Sequence, residues 1–166
     1  MALAMNKKVL VFGGSGFLGS YLSDELTQSG YDVTIFDRIK SPYIKKNQKM
    51  VIGDILDDKS VEEVVKGYDS IYHFASLAGI KDANDNPRDA VNQNIVGTVN
   101  ILEACVKAKV KRVVFASTIY VYSEAGGVYR STKQACELLI ENYSQLFGLD
   151  FTILRFGSIY GRRSNH

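Results

Sequence analysis

Four glycines, Gly13, Gly14, Gly16 and Gly19, stand between an apolar run and a segment of helical spacing, and they restrict the fold more than any other feature of the chain. The stretch Gly13-Gly14-Ser15-Gly16-Phe17-Leu18-Gly19 satisfies G-x-x-G-x-x-G and, from Gly14, G-x-G-x-x-G. Between a strand and a helix, glycine permits a sharp turn, admits a pyrophosphate without a Cβ in its way, and leaves helix N-terminal amides facing the anion. Gly13, Gly16, Phe17, Leu18 and Gly19 are therefore candidate dinucleotide-binding residues. An ordinary tight strand-to-helix turn is the competing reading of the same glycines.

Around this turn, short runs rich in Val, Ile and Phe alternate with longer amphipathic segments, the pattern of parallel strands joined by crossover helices. Six strands are expected: Lys8 to Phe12, Asp32 to Phe36, Lys49 to Ile52, Ser70 to Phe74, Arg112 to Ala116 and Phe151 to Leu154. Leu18, Tyr21, Leu22 and Leu26 form the apolar stripe of a first helix that Gly30 ends. Ser60 with Glu63 reads as a capping box opening a second. One long helix is expected from Pro87 to Lys109, with Ile95, Thr98, Ile101, Leu102 and Cys105 inward, and another from Tyr129 to Phe147. Right-handed crossovers give an α/β fold with a doubly wound parallel sheet of about six strands, the Rossmann arrangement.

Asp37 ends the second expected strand eighteen residues after Gly19, close to the spacing of about 20 for an acid that accepts from ribose hydroxyls. Such a carboxylate repels a 2′-phosphate and so favours NAD over NADP, a preference that neighbouring Arg38 can neutralise. A solvated acid at a strand end is the bland alternative. Tyr129 and Lys133, four apart on an expected helix, project to one face. That spacing arises by chance about once in a chain of this composition, so its weight comes from following the fifth strand, beside the ligand crevice of a doubly wound sheet. A phenol of reference pKa about 10 becomes a base near neutrality when an ammonium and an oxidised nicotinamide favour the phenolate. Thr118, at the end of the fifth strand, can hold a hydroxyl or oxyanion, with Ser117 as its rival and a plain strand role as the alternative. His73 reads as structural, His166 as terminal, and Tyr120 and Tyr122 as packing residues.

A chain of 166 residues with 46% hydrophobic composition accommodates one core and one domain. Its formal charge of +2 is not gathered into a block, so neither nucleic acid nor an anionic membrane is implied as a partner. No run approaches the roughly 20 apolar residues of a membrane span, and Val9 to Phe12 is too short for a signal peptide. Cys105 and Cys136 are too few for a disulfide framework and suit a reducing cytoplasm. No His/Cys/Asp/Glu spacing suggests a metal site. Met1 to Ala4, ahead of Met5, read as an expression remnant.

The motifs VLVFGGSGFLGS, GDILD, IYHFASLAG, NIVGTVNILEAC, VVFASTIYVY, YRSTK and LRFGSIYG, in this order, resemble the extended short-chain dehydrogenase/reductase family, also called the NAD-dependent epimerase/dehydratase family, along nearly the whole chain. The resemblance implies that Asp54 and Ile55 border an adenine, that Ala75, Ser76 and Leu77 line the cofactor channel, and that Asn94 braces the site. It implies Tyr129 as base, Lys133 on the nicotinamide ribose and Thr118 as the third catalytic residue. Family members keep NAD through a cycle that oxidises a nucleotide-linked sugar and returns the hydride. Dehydratase and decarboxylase branches place acidic residues directly after Thr118, where this chain has Ile119 and Tyr120, which favours 4-epimerisation. A non-catalytic NAD-binding or redox-sensing module and a small-carbonyl reductase are the other readings. The segment between Tyr122 and Tyr129 is shorter than in relatives, and relatives continue past the position of His166 into a substrate-binding domain. Residues 1–166 thus read as the NAD-binding domain of a longer chain, forming a homodimer through its two long helices.

Overall fold

The computed structural model describes residues 7–164, so the expectations for Met1 to Ala4 and His166 lie outside the described residues. Six strands form one parallel sheet: β1 (Lys8–Phe12), β2 (Asp32–Asp37), β3 (Lys49–Ile52), β4 (Ser70–His73), β5 (Arg112–Thr118) and β6 (Asp150–Phe156). Their order is β3-β2-β1-β4-β5-β6, so the chain reverses direction across the sheet between β1 and β4 and opens a crevice there. Phe12, the last residue of β1, pairs with Phe36 on one side and His73 on the other, bringing three strand ends to one level.

Alternation along β1 divides the interior. Leu10 and Phe12 join the main core with Ile71, Val113 and Phe115, covered by Val61 of α2 (Asp58–Val64), by Ile101, Leu102 and Cys105, and by Ile140. Val9 and Val11 face the other way, with Val33 and with Leu26 of α1 (Phe17–Gln28). Strands buried on both faces are accordingly apolar almost throughout.

The helices depart from expectation in five places. On α1 the buried residues are Gly19, Ser20, Ser23, Asp24 and Leu26, whereas Tyr21 is partly exposed. Its polar side is covered by loops packed across it, so apolar spacing alone misplaces the face. α2 is capped by Asp57, whose carboxylate accepts from the Ser60 amide at 3.1 Å, making Ser60 a helical residue and not the cap. A short helix, α3 (Ile80–Asp85), was not anticipated. The expected helix from Pro87 to Lys109 is continuous but not uniform. α4 (Pro87–Ala90) leads into a π-helical turn, Val91–Val96, before α5 (Gly97–Lys107). The wider turn carries the buried Asn94, and such turns concentrate at functional sites. The last helix, α6 (Gly127–Phe147), starts two residues earlier than expected, after a 3-10 turn at Ile119–Tyr122.

His73 is fully interior, as a structural histidine should be. Its Nε2 lies 2.8 Å from Thr98 Oγ1, which already donates to Asn94 O, so Nε2 is the donor toward Thr98. Burial, reinforced by the Lys133 charge, lowers its pKa from 6.5 to about 3. Below pH 6.5 the unfolded chain therefore binds a proton that the native state refuses, and stability falls by about 1.4 kcal/mol per pH unit from this residue alone. The effect is absent above pH 6.5 and complete near pH 3. Urea unfolding at pH 7 and pH 5 should show His73→Gln losing about 2 kcal/mol less than the parent chain over that interval.

Candidate active site

At the carboxyl ends of the strands the crevice divides into two connected hollows that share Gly13, Gly16, Phe74 and Ser76. The smaller, about 160 Å³, is walled by Asp37, Arg38, Asp54, Ile55 and Ala75. The larger, about 460 Å³, is walled by Phe17, Leu18 and Gly19 on one side and by Thr118, Tyr129 and Lys133 on the other. Of the residues singled out in the sequence, only Leu77 and Asn94 line neither hollow. Asn94 instead holds Leu77 in place: its Oδ1 accepts from the Leu77 amide at 2.7 Å, and its Nδ2 donates to Leu77 O and to Thr132 Oγ1.

The glycine turn has no room for side chains at Gly13 and Gly19. Gly13 adopts φ +77, and a Cβ there would lie 2.5 Å from Ala75 N. A Cβ on Gly19 would lie 2.2 Å from Gly13 O, where β1 and α1 cross. No side chain caps α1 and no acid occupies its first turn, which leaves the first-turn amides to an anion. Asp37 is fixed at the rim, accepting from the Ser15 amide at 3.0 Å and from the Ile39 amide at 3.3 Å. Arg38 leans away toward Asp54, 4.0 Å distant.

In the larger hollow, Tyr129 and Lys133 share one face of α6, as their spacing predicts. Lys133 is buried; its Nζ donates to Ala116 O at 2.8 Å and lies 4.7 Å from the Phe115 ring centroid and 5.8 Å from that of Tyr129. Burial lowers its pKa to about 8, against the smaller raising influence of Cys136 and Glu137. The Tyr129 phenol is shifted upward, because desolvation outweighs the opposing hydrogen bond with Thr118. This departs from the lowering expected from the lysine. The ammonium is engaged by the β5 backbone and burial disfavours the ionised phenol, so stabilising a phenolate is left to whatever positive charge enters the crevice.

Ser117 and Thr118 both line the hollow, and the structure separates them. Ser117 Oγ is committed to Glu137 Oε1 at 2.5 Å, whereas Thr118 reaches Tyr129. Glu137 follows Lys133 by one further turn and is gripped by Arg155, whose Nη2 donates at 2.7 Å. Sequence reading missed this Ser117–Glu137–Arg155 group, although the four-residue rhythm Tyr129, Lys133, Glu137 on one helix was a visible signal. It also assigned Tyr120 to packing. Tyr120 is instead part of the cleft wall, together with Phe156 to Ile159 after β6, while Tyr122 is exposed and its hydroxyl meets Arg155.

The sheet order, the glycine turn and the acid ending β2 define a dinucleotide-binding domain of the Rossmann class. The family model described as NAD dependent epimerase/dehydratase matches residues 9–166, and the chain belongs to that family of enzymes. It is 35% identical to a UDP-N-acetyl-alpha-D-glucosaminuronate decarboxylase of Bacillus cytotoxicus, over 96% of this chain and 57% of that protein. It is 31% identical to a putative UDP-glucose 4-epimerase of Methanocaldococcus jannaschii, over 95% of this chain and 57% of that one. Among solved structures, the UDP-glucose 4-epimerase of Thermus thermophilus in complex with NAD superposes with a TM-score of 0.88 at 30% identity, covering 96% of this chain and 58% of that one. The chain thus spans little more than half the length of these relatives. Among the described residues, no helix is long and apolar enough to cross a membrane.

Proposed function

We propose that this chain forms the NAD-holding part of an enzyme that inverts a hydroxyl-bearing carbon of a nucleotide-linked sugar by removing and returning a hydride. The observation that carries the proposal is one continuous crevice joining the glycine turn and Asp37 to Thr118, Tyr129 and Lys133. The residues fit a dinucleotide: a turn that Gly13 and Gly19 allow to pack closely, free first-turn amides for the pyrophosphate, and a fixed carboxylate for a ribose. With Arg38 turned toward Asp54, the carboxylate selects NAD over NADP. Asp54 and Ile55 would border the adenine, Ala75 and Ser76 the middle of the cofactor, and Lys133 the nicotinamide ribose. Leu77, held by Asn94, would support that channel from behind.

Bound NAD supplies a hydride acceptor that later gives the hydride back. Tyr129 takes the proton of the sugar hydroxyl as the carbon–hydrogen bond on the same carbon breaks, and returns it when hydride comes back to the opposite face. Thr118 orients the reacting oxygen beside Tyr129. The cycle leaves no net oxidation and needs one proton moved at one oxygen. Ile119 and Tyr120 after Thr118 support this cycle over the dehydratase and decarboxylase branches. We also assign the protein to the cytoplasm, given its two free cysteines, and to a homodimer through α5 and α6, where Leu138 and Leu146 are exposed.

Removing the Asp37 carboxylate should weaken NAD binding by about 10- to 100-fold, the worth of charge-assisted hydrogen bonds to a ribose, and narrow the preference over NADP in a calorimetric titration of Asp37→Ala. The reaction itself is tested by incubating the full-length gene product with NAD and a panel of UDP-linked hexoses and following the sugar by NMR. An inverted hydroxyl without net NADH is expected. Net NADH consumption with a small carbonyl compound would establish a reductase instead, and no change in any sugar would refute the epimerase reading.

A further inference from the structure

The polar face of α1 and the segment after β6 meet in a cluster that the proposed reaction does not use. Arg163 Nη2 donates to Asp24 Oδ2 at 2.8 Å, and its Nη1 donates to Ser20 Oγ at 3.2 Å. Its guanidinium lies between two rings, 4.2 Å from the Tyr21 centroid and 4.5 Å from that of Tyr43. The Tyr21 hydroxyl donates to Arg162 O at 3.0 Å, and Gly161 packs 3.6 Å from the Phe17 ring edge, measured from where its Cβ would be. Asp24 is shared with the loop between β2 and β3, accepting from Gln48 Nε2 at 3.2 Å with Lys45 Nζ 3.9 Å away. The Arg163 and Asp24 side chains are only 17% and 10% exposed. Arg163 also has φ +74, a left-handed conformation that a non-glycine residue keeps only where its surroundings enforce it.

Between β6 and this cluster runs Gly157–Ser158–Ile159, which walls the larger hollow opposite α1 and the glycine turn. The segment is exposed on its outer side, and Tyr160 is 93% exposed, so packing of its own side chains does not hold it. We propose that Arg163 is a positioning residue: docked on Asp24 between Tyr21 and Tyr43, it straps the Gly157–Ile159 segment across the crevice and so retains the dinucleotide. A half-buried guanidinium with charge-assisted bonds and two stacked rings is a far firmer tether than a surface ion pair. Asp24 ties the same strap to the β2–β3 loop, so one carboxylate secures the loops at both ends of the crevice.

The inference rests on the reading of the crevice as an NAD site, and its test has one arm that does not. Limited chymotrypsin digestion without nucleotide, followed by mass spectrometry, reads release of the strap as cleavage after Tyr160. Arg163→Met and Asp24→Asn should accelerate that cut about tenfold, and Arg163→Lys should restore most of the protection. Tyr43→Leu, which uncovers the guanidinium without stranding a charge, should give an intermediate rate. The second arm measures NAD dissociation by stopped flow: release should quicken about fivefold in Arg163→Met and return toward the parent rate in Arg163→Lys. Unchanged cleavage after Tyr160 would overturn the strap. Faster cleavage at internal sites as well would reduce Arg163 to a general stabilising contact and overturn the positioning role. Faster cleavage with unchanged NAD release would overturn retention. Absence of NAD binding to the parent chain would defeat the cofactor reading, and retention with it, while the digestion still decides whether the strap exists.

Discussion

Replacing Tyr129 by phenylalanine is expected to slow turnover of the intact enzyme by about 10²- to 10⁴-fold, the usual contribution of a positioned general base, with NAD affinity nearly unchanged. The substitution removes one oxygen from a half-buried ring, so the packing of α6 persists, and Lys133 keeps its bond to Ala116 O. Thr118 loses its partner but retains the Tyr120 amide, 3.3 Å from its Oγ1. The measurement pairs steady-state turnover on the best sugar nucleotide with an NAD titration. A large loss of turnover alongside retained binding separates a base from a scaffold residue. Equal loss of both would assign Tyr129 to cofactor binding.

The second large effect is expected at Gly19. An alanine there places a methyl group 2.2 Å from Gly13 O, with Gly13 C and Gly14 Cα each 2.9 Å away, all backbone atoms of the turn itself. No rotamer change relieves that contact; α1 must move off the turn. Gly19→Ala should therefore weaken NAD binding by at least about 100-fold and lower stability by about 2–4 kcal/mol, in the range of severe packing insults. Gly16→Ala is the internal control. The nearest atom to its added methyl is Gly13 O at 3.4 Å, and its φ is −74, so stability should change little. Calorimetry and chemical unfolding of the two variants would distinguish a close-packed crossing from a general need for flexible glycines.

The parts of the fold that were legible in the sequence are those written in periodic apolar residues. All six strands fall where the Val/Ile/Phe runs place them, with shifts of one or two residues at the ends; the inner strands, covered on both faces, must be apolar along their length, whereas the edge strand β3 is largely exposed. The doubly wound arrangement followed from right-handed crossovers together with the glycine turn, and the structure supplies the order of the strands. Less legible were features set by side chains acting at a distance. The buried face of α1 carries Ser20, Ser23 and Asp24; Ser23 is satisfied within the helix by Gly19 O, but Arg163 and Gln48 arrive from far along the chain to pair with Ser20 and Asp24. The π turn around Asn94 has no local signature either: its widening serves an amide clamp on Leu77 and Thr132.

The candidate site divides in the same way. Gly13, Gly16, Gly19 and Asp37 stood out by spacing, and Tyr129 and Lys133 by position after the fifth strand, and the structure gathers all of them along one crevice. The engagement of Ser117 by Glu137, twenty residues away, was beyond the sequence. The direction of the Tyr129 shift was beyond it as well. Spacing shows that a lysine is near, but not that its ammonium is engaged by a backbone carbonyl while burial governs the phenol.

Occupancy of the crevice by NAD is measured by a calorimetric titration of the 166-residue chain with NAD and, separately, NADP. Saturable one-to-one binding of NAD, clearly tighter than NADP, is the predicted result. A folded chain, verified by cooperative unfolding, that takes up neither nucleotide at millimolar concentration would contradict the account and reduce the glycine turn to a structural joint.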